Sequence, residues 1–192
     1  MPAKVDHEAR RRDVSAAVWR VLAEGGFGAL TMRSVAAELG GSTGLVMHYF
    51  ASKHELIKHA LELAEERTRA LIPAATDLRT ALTAALPLTP EATEINRVWV
   101  SSWDVALTDP ELHALEKARY RRWRTRLRPL VIRAQTDGDL PHGDPTDLAT
   151  ALAAFTHGLV VQALFDPTTY TPKRLQHLLD AHLSALSPAT RR

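Results

Sequence analysis

The sequence predicts an all-α chain, and three observations carry that prediction. Apolar residues recur at spacings of three and four, as on one face of a helix, and no run alternates as a strand would. Proline stands at nearly every joint between those segments (Pro73, Pro87, Pro90, Pro110, Pro141, Pro145, Pro167, Pro172), and proline is tolerated only in a helix's first turn. Alanine and leucine are abundant while aromatics make up 6%, a balance that suits helices.

The elements follow in order. Residues 1 to 6 read as a disordered arm. A first helix is predicted over 7–24, with Val14, Ala17, Val18, Val21 and Leu22 on its apolar face. Gly25 and Gly26 stop it, as glycine does past a helix end. Thr31 is a hydroxyl N-cap for a second helix whose stripe is Val35, Ala36 and Leu39. Gly40 and Gly41 supply a turn in which positive φ is tolerated. Ser42 is placed to cap a third helix, with Val46 and Phe50 pointing inward at a spacing of four. Two short helices joined by a glycine turn form the helix-turn-helix pattern, whose second helix reads the DNA major groove.

Ser52 caps a fourth helix, and Glu55 stands at capping-box distance from it. That helix carries Leu56, Ile57, Ala60, Leu61 and Ala64 and ends before Pro73. Further helices are predicted over 75–86, 91–107, 110–135, 145–164 and 172–186, with the tail from Ser187 frayed. Asp109-Pro110, Asp144-Pro145 and Thr171-Pro172 each read as an N-cap followed by proline at the first helical position.

Composition excludes several classes. The 192 residues contain 45% hydrophobic residues, enough for one or two cores. There is no cysteine, hence no disulfide framework or thiolate metal site. No 18 consecutive residues are apolar and the N-terminus lacks a signal-peptide segment, so no membrane partner is expected and the expected location is cytoplasmic. The net charge of +2 and pI near 9.1 permit nucleic-acid binding without establishing it.

The run Gly-Gly-Ser-Thr-Gly-Leu-Val-Met-His-Tyr-Phe-Ala-Ser-Lys-His-Glu-Leu, residues 40–56, resembles the signature of the DNA-binding domain of the TetR family of bacterial repressors, with a matching first helix before it. The C-terminal part resembles the BetI-like branch through Gly138-Asp-Leu-Pro, Asp144-Pro and the helix ending Leu164-Phe-Asp-Pro167. The resemblance implies a three-helix DNA-binding domain over 1–52 and a larger helical effector-binding and dimerisation domain over 53–192. It implies a repressor that binds a palindromic operator as a homodimer and is released by a small-molecule effector. Two positions depart from the family pattern: Gly41 stands where an aliphatic residue is usual, and Met47 where tyrosine is usual. Both bear on which operator is read rather than on the fold.

On the third helix Thr43, Gly44, Leu45, Met47 and His48 are left facing outward. A leucine and a methionine on a surface fit contact with thymine methyl groups, and His48 suits a base edge. The resemblance adds Arg33 as a guanine contact and Thr31, Ser42, Tyr49 and Lys53 as phosphate contacts. Lys53 also begins a helix, where the dipole disfavours a cation unless a phosphate is present. Arg10, Arg11 and Arg12 lie where a first helix reaches the DNA backbone or simply stays solvated. Over residues 1–55 the bases only just outnumber the acids, so charge placement decides binding.

The larger part holds no catalytic constellation, so no enzyme and no cofactor are expected. His54/His59 and His177/His182 are five apart, which turns a helix by about 500° and aims the rings about 140° from each other. Leu148, Leu152, Phe155 and Leu159 form a large face on the helix over 145–164, and Ala151, Ala154 and Gly158 a small one. The last helix offers Leu175, Leu178, Leu179, Leu183 and Leu186. These two helices either pair with their copies in a dimer or close the protomer's own core. Trp99, Trp103, Arg119, Tyr120, Trp123 and His157 are the candidates for a ligand pocket, the alternative being plain core. Arg119 interrupts an apolar stripe and needs a partner, which Asp104, Glu94 or an anionic effector would supply. The basic run from Lys117 to Arg128 reads as a solvated face, or else as a second electrostatic surface for DNA or acidic partners. Two other functions stay open: a DNA-binding regulator without a small-molecule inducer (an activator or one dependent on a corepressor), and a helical interaction module that has lost DNA binding.

Overall fold

The structure is a computed structural model that describes residues 3–71 and 77–187, with side chains within 8–71 and 77–187. Among the described residues there are ten helices and no strand: α1 (Ala3–Ala29), α2 (Met32–Glu38), α3 (Thr43–Tyr49), α4 (Lys53–Leu71), α5 (Leu78–Ala84), α6 (Pro90–Ser101), α7 (Trp103–Thr108), α8 (Pro110–Thr136), α9 (Pro145–Phe165) and α10 (Pro172–Leu186). The all-α class is therefore as the sequence predicts. Pro73 and the tail beyond Ser187 lie outside the described residues, as do the first two residues of the expected arm. The rest of that arm differs from expectation, because α1 is already helical at Ala3.

Chain contacts group the residues into two compact units, Met1–Arg69 with Arg97–Leu112, and Ala70–Asn96 with His113–Arg192. In the first unit Val14, Ala17, Val18, Leu22, Phe27, Leu30, Val35, Ala36, Val46 and Leu56 are buried. In the second, α5, α9 and α10 pack on one another. Their core joins Leu78, Leu82, Leu127, Val131, Leu152, Leu159, Leu175 and Leu179.

Two helix boundaries depart from the sequence reading, each for a local reason, and a third helix passes through a proline as predicted. The glycine stop after the first helix works at Gly26 alone (φ 63, ψ −166), and helical conformation resumes for Phe27–Ala29. Phe27 is buried there, and its N–H donates to Ser101 Oγ at 3.2 Å. The helix expected over 91–107 is two helices, separated at buried Ser102. The Ser102 hydroxyl donates to the Trp99 carbonyl at 2.7 Å, a back-bond that bends helices. α8 runs through Pro129, whose missing N–H forfeits one backbone bond on an exposed side.

The proline-marked starts of α8, α9 and α10 are capped as expected. Asp109 Oδ1 accepts the N–H groups of Glu111 and Leu112 at 2.9 and 3.0 Å. Asp144 Oδ1 accepts Thr146 N–H at 2.7 Å, and Thr171 Oγ1 accepts Arg174 N–H at 3.4 Å. α9 is long and apolar enough to cross a membrane by length and composition, although it holds no 18 consecutive apolar residues. Its Ala149, Leu152, Ala153, Leu159, Val160 and Ala163 belong to the core of the second unit.

Candidate nucleic-acid interface and effector cluster

The turn between α2 and α3 is closed by backbone geometry. Thr31 caps α2 reciprocally: its Oγ1 accepts Ser34 N–H at 3.0 Å, and its own N–H donates to Ser34 Oγ at 2.9 Å. At the other end Gly40 takes φ +63 and donates its N–H to Ala37 O at 3.0 Å. Gly41 N–H donates to Ala36 O at 2.9 Å, and the two bonds together make a Schellman stop. Here lies the meaning of Gly41: a Cβ there would come to 3.1 Å from Leu45 Cδ2, so an aliphatic residue at this position would lean on Leu45. An ion pair between Arg20 and Glu38 ties α1 to α2.

From that turn α3 presents its faces. Val46 and Phe50 are buried, and Tyr49 is half-buried with its ring edge-on to His48 at 5.3 Å. Thr43, Gly44, Met47 and His48 are exposed, Met47 by 59%. Leu45, expected to face outward, is half-buried. Ser42 occupies the N-cap position but makes no side-chain cap bond, so its hydroxyl is not spent on the helix. Arg33 and Lys53 are exposed, and Ser52 Oγ accepts Glu55 N–H at 3.2 Å at the start of α4. Arg10, Arg11 and Arg12 are exposed on α1.

Two histidine arrangements were invisible in the sequence because their partners lie 44 and 57 residues away. His59 shares a hydrogen bond of 2.9 Å with Ser15 and packs its ring 5.1 Å from Phe50. Burial lowers its pKa. With Arg11, Val14, His48 and Tyr49 these residues line a recess of about 260 Å³. His54 stands between two carboxylates, Nδ1 at 3.1 Å from Asp109 and Nε2 at 2.8 Å from Glu111. Only an imidazolium donates to both, and the Glu111 hydrogen bond raises the His54 pKa above 6.5. Lys58 adds its Nζ at 2.8 Å from Glu111. Among the described residues no cluster suited to a metal ion exists.

The ligand candidates fall into both units. In the first, Trp99 is buried and its indole N–H donates to Thr68 Oγ1 at 2.8 Å. Trp103 keeps its Nε1 buried with no acceptor among the described residues. In the second unit Tyr120 meets both Arg119 and His157, and Trp123 stands three residues from Tyr120 and four from Arg119 on the same face of α8. Glu116, one turn earlier on α8, is a carboxylate that meets Arg119, in addition to the candidates the sequence offered. The spacing of three puts Glu116 and Arg119 on one helix face. The Arg119 guanidinium lies 4.5 Å from the Tyr120 ring centroid, and Tyr120 meets His157 edge-on at 5.1 Å. Burial, reinforced by the charges of Arg119 and Arg124, lowers the His157 pKa to about 4. Trp123 Nε1 is buried without an acceptor among the described residues.

The pair of C-terminal helices divides as the sequence pattern divides. Leu152, Leu159, Leu175 and Leu179 are buried, and Phe155 stacks on His182 at 3.8 Å. Ala151, Ala154 and Gly158 are exposed on α9, and Phe165 at its end is 80% exposed. Most of the basic run on α8 is exposed: Lys117, Arg121, Arg122, Arg126 and Arg128.

Comparison with known proteins agrees with this geometry. Residues 15–60 match the model for bacterial regulatory proteins of the tetR family, and residues 74–188 match that for the C-terminal part of BetI-type transcriptional repressors. The chain is 26% identical to the transcriptional regulator PksA of Bacillus subtilis, over 97% of this chain and 94% of that one. It is 30% identical to the transcriptional regulator BetI of Burkholderia cenocepacia, over 83% of this chain and 84% of that one. Among solved structures, a putative transcriptional regulator from Saccharomonospora viridis in complex with choline superposes with a TM-score of 0.78 at 26% identity, covering 92% of this chain and 96% of that one. These relatives are regulators of transcription and not enzymes. With both halves matched, the chain belongs to the TetR family of bacterial transcriptional regulators, in its BetI-like branch.

Proposed function

We propose that the protein is a cytoplasmic repressor that binds a palindromic operator as a homodimer and leaves it when a small molecule binds. Residues 1–52 form the reading head, and residues 53–192 the effector-binding and dimerisation domain. The single observation that carries the DNA half is the closed turn at Gly40 and Gly41 with buried Val46 behind it, which leaves Thr43, Gly44, Met47 and His48 exposed on α3. In this reading Met47 and Leu45 meet thymine methyls, His48 a base edge and Arg33 a guanine, while Thr31, Ser42, Tyr49 and Lys53 hold phosphates.

The exposed small residues Ala151, Ala154 and Gly158 on α9, with exposed Phe165, support dimerisation through α9 and α10. A twofold dimer gives two reading heads for two half-sites. Effector release follows if the ligand binds the DNA-incompetent state better. A coupling of about 1–3 kcal/mol changes operator affinity roughly 5- to 150-fold. The ligand candidates are Arg119, Tyr120, Trp123 and His157 in the second unit and Trp99 and Trp103 in the first, and the choline held by the S. viridis neighbour supports a small organic effector.

The test is selection of binding sites from random DNA with purified protein, repeated with Arg33→Ala. A palindromic motif that loses a guanine preference in the variant is the expected result. No enrichment at low salt would remove the repressor reading and favour a corepressor-dependent regulator or a chain that has lost DNA binding.

A further inference from the structure

We propose that the Arg119–Tyr120–Trp123–His157 cluster takes a ligand bearing a hydrogen-bond acceptor, a carboxylate in the first instance, and discriminates against quaternary ammonium cations. This deepens the effector reading above and rests on it.

The argument is one of donors and charge. Trp123 Nε1 is a donor and nothing else, and it is buried without an acceptor among the described residues. A buried donor left unsatisfied keeps its desolvation penalty, so a site that holds one gains from any ligand that supplies an acceptor. Cations find the opposite. Glu116 is the buried carboxylate of the cluster, and Arg119 occupies both its oxygens, Nε at 2.7 Å and Nη2 at 2.9 Å. At the His157 ring it is the positive charges of Arg119 and Arg124 that act, and neither welcomes a second cation. The face of Tyr120, which would otherwise attract a trimethylammonium group, already lies under the Arg119 guanidinium at 4.5 Å. His157 is neutral at pH 7, so it offers one ring N–H and adds no charge.

The probes are matched pairs that share a carbon skeleton: phenylacetate against benzyltrimethylammonium, and hexanoate against pentyltrimethylammonium. The full-length protein is labelled with ¹⁵N at its four indoles, and each N–H peak is assigned by Trp→Phe substitution. The carboxylates are expected to move the Trp123 peak downfield and to release operator DNA, while the ammonium compounds do neither. Trp123→Phe keeps an aromatic ring, though a smaller one, and removes the donor, and is expected to weaken carboxylate binding about 10- to 100-fold. Unmoved peaks of Trp19, Trp99 and Trp103 in that variant certify its fold; if it does not fold, the titration of the native protein decides. Ammonium compounds that move the Trp123 peak and release DNA would overturn the proposal and leave the effector reading intact. Neither series moving the peak, while an extract of small metabolites still releases DNA, would do the same. No release by any of them would sink both.

Discussion

Arg119 and Glu116, three residues apart on α8, form a two-pronged ion pair with side chains only 17% and 10% exposed. Burying two charges costs desolvation that a good pair offsets, but removing one partner strands the other. Arg119→Leu is therefore expected to destabilise the protein by about 2–4 kcal/mol, while Arg119→Leu with Glu116→Leu recovers much of that loss. Urea denaturation of the single and double variants measures it. Equal losses in both would mean that the pair contributes nothing of its own.

His157 makes stability fall in acid. Its folded pKa of about 4 lies below the unfolded value of 6.5. Between those values the unfolded chain binds the extra proton, so the contribution is complete above pH 6.5 and is lost as pH falls towards 4. The shift corresponds to about 3 kcal/mol. Urea midpoints between pH 7 and 4.5 should drop more steeply in the native protein than in His157→Gln. His54 has the opposite sign: its raised pKa means its bonds to Asp109 and Glu111 contribute below about pH 6.5 and fade as pH rises through the folded value.

Glycine substitutions should rank by conformation and space. At Gly40 a side chain meets nothing within 4 Å, so Gly40→Ala carries only the left-handed backbone cost, about 1–2 kcal/mol. Gly26→Ala adds to a similar φ a Cβ 2.7 Å from Ser101 Cβ and is expected to cost more. Gly41→Ala touches only the flexible end of Leu45 and should be the mildest of the three. Thermal unfolding of the three variants checks the order.

Phosphate and base contacts should separate by salt and by sequence. Lys53→Ala is expected to weaken binding to all DNA sequences alike and to lower the salt slope by about 1. Met47→Ala should instead change the preferred base at one position per half-site with little change in slope. Fluorescence anisotropy at several salt concentrations with operator and scrambled duplexes distinguishes them.

Ala154→Arg places a charge on the exposed small face of α9. If this face makes the proposed dimer, sedimentation should find the variant monomeric and the native protein dimeric, with the helical circular dichroism unchanged and operator affinity lost. A dimer that persists would mean that this face is not the interface.

Much of the fold was legible because local chemistry sets it. Thr31, Asp109, Asp144 and Thr171 announce helix starts through hydroxyl or carboxylate caps, and each makes the bond its position implies. The bend at Ser102 was not legible, since a serine's choice between solvent and its own helix carbonyl depends on burial. Nor were the couplings of His59 to Ser15 and His54 to Glu111, which no spacing rule reaches. On α3 the pattern separates buried Val46 and Phe50 from exposed Met47 and His48, but misplaces Leu45, because the turn at Gly41 lets that side chain fold back. The Arg119–Glu116 pair is legible from spacing alone, since residues three apart share a helix face.

The reading helix is seven residues long, and Thr43, Gly44, Met47 and His48 contribute little to the core. Substitutions at such exposed positions usually change stability by no more than about 0.5 kcal/mol. After gene duplication, the recognised DNA sequence is thus free to drift one exchange at a time while Val46, Phe50 and the glycine turn stay fixed. A descendant can acquire a new set of target genes without passing through an unfolded ancestor.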